Sequence, residues 1–98
     1  MATLALIGAG AMGGAIGLRL VQTGTALRVY DLDAGRVQAL VNQGATAGHS
    51  PADAARGADG VILSLNSAAI VDAAVFGPDG VAQGAQAGAV VIDMSSID

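Results

Sequence analysis

Apolar positions along this chain fall in short unbroken runs, separated by longer stretches in which they return every three or four residues. Leu4 to Ile7 is such a run, too brief for a helix and suited to a buried strand, and it stops at Gly8. From Met12 to Thr23 the apolar residues Ile16, Leu20 and Val21 recur with helical spacing against Arg19 and Gln22 on another face, and Gly24 stands where a helix-ending glycine belongs. Leu27 to Tyr30 predicts a second strand closing on Asp31-Leu32-Asp33, and Val37, Leu40 and Val41 mark a second helix stopped by Gly44. Ala45 to Ala47 is a weak third strand. Ser50-Pro51-Ala52-Asp53 then offers a capping hydroxyl, a proline at the first helical position and an early acid, which starts a short third helix. Val61 to Leu65 reads as a fourth strand, followed by Asn66-Ser67 capping a helix that carries Ile70, Val71 and Val75. Gly77-Pro78-Asp79-Gly80 makes a turn, Val81 to Gln86 is short helix or irregular, and Ala89 to Ile92 forms a fifth strand ending at Asp93.

Strands alternating with helices imply right-handed crossovers and a parallel sheet covered on both faces. The expected fold is α/β, a Rossmann-like doubly wound sheet of five strands in the order 3-2-1-4-5, with the sequence ending before the sixth strand that such folds usually have. No repeat or linker divides it, so residues 1–98 are expected to form one dinucleotide-binding domain.

Composition sharpens this. Hydrophobic residues make up 53% and charged residues 12%, which excludes a disordered tail and suits elements buried on more than one face. A domain of this size buries only about two-thirds of the surface its unfolded chain exposes, so stability should be modest. All eight acids are Asp and all four bases are Arg, a net charge of -4 with no basic stripe, which argues against a nucleic-acid partner. With no cysteine and one histidine, neither a disulfide frame nor a metal site is expected. The glycine-rich opening lacks the positive flank of a signal peptide, and no run reaches the roughly 18 apolar residues of a membrane span. The expectation is therefore a cytoplasmic protein with no membrane partner.

The chemistry is concentrated in Gly8-Ala9-Gly10-Ala11-Met12-Gly13, a GxGxxG placed between a predicted strand and a predicted helix. Gly8 would permit the tight turn, Gly10 would let a diphosphate approach the backbone, and Gly13 would allow close packing of the helix. The phosphates would meet the amides of Ala11, Met12 and Gly13 at the helix start, where unpaired N–H groups and the helix dipole favour negative charge. Asp31 closes the second strand some 20 residues further on, where a carboxylate accepts from the adenosine ribose and repels a 2′-phosphate, favouring NAD over NADP. Capping of the second helix falls mainly to Asp33, and Arg36 is the feature that would instead receive a 2′-phosphate. Leu65 and Asn66 follow the fourth strand beside the expected switch point, with Asn66 or Ser67 alternatively serving as a helix cap. Ser95 and Ser96 follow the fifth strand, either facing the nicotinamide or lying in a solvated tail. His49 is expected in a surface loop, on the edge away from the strand carboxyl ends. Ser64 has no His or Asp arranged to make it a nucleophile.

With the glycine loop, Asp31 and the closing VVIDMSSID in view, the whole chain resembles the N-terminal domain of the β-hydroxyacid dehydrogenases, a family that includes 3-hydroxyisobutyrate dehydrogenase, tartronate semialdehyde reductase and L-threonate dehydrogenase. IGAGAMGGAIGLRL, the strand ending in Asp31, SPADAARGADGVILSL, FGPDGV and IDMSSID are similar to the family pattern in order. The resemblance implies NAD(P)-linked oxidation of a small 3-hydroxy acid, with cofactor contacts at Gly8 to Gly13, Asp31, Leu65 and Ser96. Asn66 stands where the family usually has Pro, Ile70 where it has a cofactor-contacting Asn, and Ser96 where Thr is common. The resemblance implies that the family's catalytic Lys, on a later interdomain helix, and its Gly-rich substrate loop fall outside these residues, and that the C-terminal helical domain is not among them, so no catalytic residue is expected here. The competing expectation is a folding or assembly module that forms a homo-oligomer through an exposed sheet edge without turnover. An S-adenosylmethionine site also suits a glycine turn and an acid after the second strand, but Met12-Gly13 and the closing VVIDMSSID argue against it.

Overall fold

A computed structural model describes residues 2–94. The elements in chain order are β1 (Thr3–Ile7), α1 (Ala11–Gln22), β2 (Ala26–Tyr30), α2 (Ala34–Val41), β3 (Thr46–Ala47), α3 (Pro51–Ala55), β4 (Gly60–Leu63), α4 (Ala68–Phe76), α5 (Val81–Gly84) and β5 (Val90–Asp93). All five strands are parallel and their order is β3-β2-β1-β4-β5, as the alternation of strand and helix predicts. The fourth strand is shorter than its apolar run: it ends at Leu63, and Ser64 and Leu65 leave the sheet. Ser64 still donates its amide to the Ile7 carbonyl at 2.9 Å, which holds the chain beside the end of β1 as it turns away.

The helix starts follow the expected capping chemistry. Asp33 accepts from the Gly35 amide at 2.9 Å, Ser50 from Asp53 at 3.0 Å and Ser67 from Ile70 at 3.1 Å, each satisfying a first-turn N–H that has no acceptor inside its helix. Ser67, not Asn66, is therefore the cap of α4.

Side chains alternate across β1, so Ala5 and Ile7 face one layer and Leu6 the other. Ala5 and Ile7 join Val61, Leu63, Ala54, Ala55 and Val81 beneath α3 and α5, whereas Leu6 packs with Leu27, Val29, Leu40 and Ile62 beneath α1 and α2. Alanine at three buried positions of α3 lets that short helix lie close on the sheet. Covered faces on both sides require strands that are continuous apolar runs, which is why β4 is buried along its whole length.

β5 is the exception. Every residue of it is exposed, Val90, Val91 and Ile92 to between 46% and 59%, and α4 buries no residue although it carries Ile70 and Phe76. Among the described residues no helix is long and apolar enough to cross a membrane.

The loop after β3 corrects one expectation. Because β3 runs parallel to β2, with Ala47 opposite Val29, His49 emerges on the same edge as the other strand carboxyl ends and not on the opposite one. A parallel third strand ending at Ala47 carries the residues that follow it to this edge. The amide of His49 donates to the Asp53 carboxylate at 2.9 Å, and this bond, opposed by partial desolvation and helped by the nearby charges of His49, Arg56 and Arg28, holds that carboxyl below its ordinary value of 3.8.

Candidate functional site

β1 lies at the point where strand order reverses: the chain proceeds from it through β2 to β3 on one side and resumes at β4 on the other. Loops leaving the carboxyl ends of β1, β2 and β4 therefore diverge and leave a crevice between them. The structure has a cleft of about 470 Å³ there, lined from the β1 end by Gly8 and Gly10, from the β2 end by Asp31, Leu32 and Asp33, and from the β4 end by Ser64, Leu65 and Asn66. That volume lies within the usual range for small-molecule sites, roughly 300 to 1,000 Å³.

The three glycines of the loop do different things. Gly8 turns the chain at φ +98°, and a Cβ on it would overlap the Ser64 carbonyl. Gly13 sits in the first turn of α1, where a Cβ would overlap the carbonyl of Gly8 and approach Ser64 Cβ to 3.1 Å. Both are held against backbone. Gly10 is the N-cap of α1 and is open: the nearest atom to a Cβ there is Arg36 Nη1, at 3.6 Å. Among the described residues no side chain caps this helix and no acid lies in its first turn, so its leading amides have no acceptor from a capping side chain.

Asp31 ties this loop to the next one. One carboxylate oxygen accepts from the Ala9 amide at 2.7 Å and the other from the Asp33 amide at 2.8 Å. A carboxylate has about four lone-pair directions, so each oxygen keeps one for a further donor in the cleft. Beyond Asp31 the wall turns apolar, with Leu32 at 90% exposure facing a surface built from Ile70, Ala73 and Ala74 of α4 and from Pro51 and Pro78.

Of the residues predicted from sequence, Gly8, Gly10, Asp31, Leu65 and Asn66 meet in this one cleft. Gly13 supports it from below, and Ala11 and Met12 stand exposed in the first turn of α1. Ser96 and its neighbour Ser95 lie outside the described residues. The apolar wall was not legible beforehand: Pro51, Pro78 and Leu32 carry turn or boundary signals of their own, and nothing in their spacing shows that they converge. Arg36 was legible as a candidate from its place after β2, although its position over Gly10 was not.

A ribose-bearing dinucleotide fits what these residues offer. Open backbone at an uncapped helix start suits a diphosphate, a carboxylate across from it suits vicinal hydroxyls, and an apolar wall beyond suits a flat base. The sequence matches, over residues 3–98, the family described as the NAD binding domain of 6-phosphogluconate dehydrogenase. It is 43% identical over 97 residues to 3-sulfolactaldehyde reductase of Escherichia coli (strain K12), covering 99% of this chain and 33% of that protein. Among solved structures, 3-hydroxyisobutyrate dehydrogenase of Mycobacterium tuberculosis, solved with L-serine, superposes with a TM-score of 0.91 at 28% identity, covering 100% of this chain and 33% of the other. Psf3 in complex with NADP+ and 2-OPP superposes with a TM-score of 0.87 at 26% identity, covering 96% and 34%. The chain thus spans about a third of the length of the relatives it matches.

Proposed function

The chain belongs to the family of the NAD binding domain of 6-phosphogluconate dehydrogenase, and on that premise we propose that its 98 residues are the cofactor-holding domain of a hydroxyacid dehydrogenase of the 3-hydroxyisobutyrate dehydrogenase kind. The observation that carries this reading is Gly10, the one glycine of the loop whose missing side chain leaves room in the cleft and not merely against the chain's own backbone.

In this reading the amides of Ala11, Met12 and Gly13 hold the diphosphate, supported by the dipole of α1. Asp31 accepts from the adenosine ribose while its bonds to Ala9 and Asp33 keep the carboxylate oriented, and its charge disfavours a 2′-phosphate, so NAD is preferred over NADP. The base lies along Leu32 and the α4 wall. Leu65 and Asn66 flank the path to the nicotinamide end, and Ser96 is assigned to that end from the resemblance alone. When bound, the nicotinamide supplies hydride acceptance or donation; the chain's own part is to position it.

Turnover also needs a group that takes or supplies the hydroxyl proton, and these residues include no lysine for that task. Titration calorimetry of the 98-residue chain should show saturable 1:1 binding of NAD, tighter than NADP, with no NADH formed from 3-hydroxy acids. Absence of binding would remove the reading, and turnover would show that the proton-handling group lies within these residues.

A second reading rests on β5, an apolar strand that is exposed along its length and stands last in the sheet order among the described residues. Such an edge is a template for pairing, and the chain is expected to self-associate through it. Light scattering across a hundredfold concentration range should show the mean mass rise above 9.4 kDa; a constant monomer mass would dismiss it.

A further inference from the structure

Arg36 is the only cation among the described residues that line the cleft, and we infer that it clamps the diphosphate of the bound dinucleotide. The inference rests on the nucleotide-holding reading of the glycine loop and adds a residue that the GxGxxG pattern does not contain.

The placement of Arg36 is built, not incidental. Asp31 binds the Ala9 amide with one oxygen and the Asp33 amide with the other, so the loop after β1 and the segment entering α2 share one carboxylate. Asp33 then caps α2 through the Gly35 amide. These bonds fix the first turn of α2 beside the first turn of α1. They bring Arg36 Nη1 to 3.6 Å from the point where a Gly10 side chain would begin. The guanidinium thus lies beside the open glycine that caps α1.

Charge gives the clamp its purpose. Among the described residues the cleft wall carries two carboxylates, Asp31 and Asp33, against one guanidinium, and a diphosphate brings two more negative charges. The other arginines lie away from the cleft: Arg28 donates to the Arg56 carbonyl, Arg56 pairs with Asp53, and Arg19 stands in the last turn of α1. Arg36 itself is held only loosely, with Nε 3.7 Å from Asp33 and more than half of each side chain exposed. An exposed pair of that kind is worth little, so the guanidinium can exchange Asp33 for phosphate oxygens without disturbing the core. Its planar fork matches two oxygens of one phosphate, which a lysine would meet only as a point charge.

The test is calorimetric titration of the unaltered chain, Arg36→Ala and Arg36→Lys with NAD, NADP, ADP and adenosine, each variant first checked for an unchanged thermal transition. Arg36→Ala should weaken NAD, NADP and ADP alike by about tenfold, the loss of one charge-assisted contact at a partly solvated site, and leave adenosine unaffected; Arg36→Lys should recover part of the difference. A loss confined to NADP would move Arg36 to the 2′-phosphate and overturn the clamp. An equal loss for adenosine would make its role structural or base-directed, and unchanged affinity for all four would leave it no role. If the unaltered chain binds neither NAD nor ADP, the reading of the glycine loop falls first and the clamp with it. If it binds both and is indifferent to position 36, only the clamp is lost.

Discussion

Gly13→Ala is expected to cost the domain about 3 kcal/mol, while Gly10→Ala, three residues earlier in the same motif, leaves the fold standing and weakens NAD binding. The two differ in what a methyl would meet. At Gly13 it would overlap the carbonyl of Gly8, a backbone atom that cannot rotate away, and it would press on Ser64 as well. Relief requires α1 to lift from the end of β1, exposing part of the layer formed by Leu6, Leu27 and Val29. For a domain whose whole stability is roughly 5 to 10 kcal/mol, a loss of that size lowers the thermal midpoint by roughly 15 °C, which circular dichroism would resolve. Gly8→Ala belongs with Gly13→Ala, since it combines overlap at the Ser64 carbonyl with a φ of +98° that alanine avoids.

At Gly10 the added methyl finds only Arg36 Nη1, at an ordinary contact distance of 3.6 Å, and the melting curve should hardly move. The methyl instead occupies the surface on which the diphosphate must rest, and NAD affinity should fall by about a hundredfold, close to 2.7 kcal/mol. Normal binding by a folded Gly10→Ala chain would show that the phosphates lie elsewhere.

Asp31→Ala should damage stability and selectivity together. Removing the carboxylate leaves the amide of the buried Ala9 without its acceptor and frees the Asp33 amide, a loss of about 2 kcal/mol by denaturant titration. The ribose loses its acceptor as well, so NAD should bind at least tenfold more weakly. NADP should lose less, because a negative charge that opposed its 2′-phosphate has gone, and the ratio of the two affinities should narrow. That ratio separates the two functions of the residue. A uniform loss for both cofactors would mean that Asp31 only braces the loop, and an unaltered melting curve would mean that its two amide bonds contribute nothing.

The sequence by itself determined the local order of this protein, because that order is written at short range. Apolar runs against three-to-four-residue recurrence distinguished strands from helices, Asp33, Ser50 and the pair Asn66-Ser67 announced three helix starts, and Gly8, Gly10 and Gly13 announced a turn that opens a helix. The parallel order β3-β2-β1-β4-β5 followed from strand–helix alternation and the handedness of crossovers. Tertiary structure alone decided which residues meet. Register between β1 and β4 sets the Ser64 carbonyl against Gly8 and the Ser64 side chain near Gly13, so the glycine at position 8 is demanded by a segment some fifty residues away, while Gly13 is demanded chiefly by the carbonyl of Gly8 itself. Successive crossovers gather Leu32, Pro51, Ile70 and Pro78 into one wall although each has an unremarkable local setting. Arg36 acquires a place in the cleft only once Asp31 has joined the two loops. Local patterns record the conformation a segment prefers, whereas a site assembled from the ends of non-adjacent strands depends on register and packing, which no short window of residues contains.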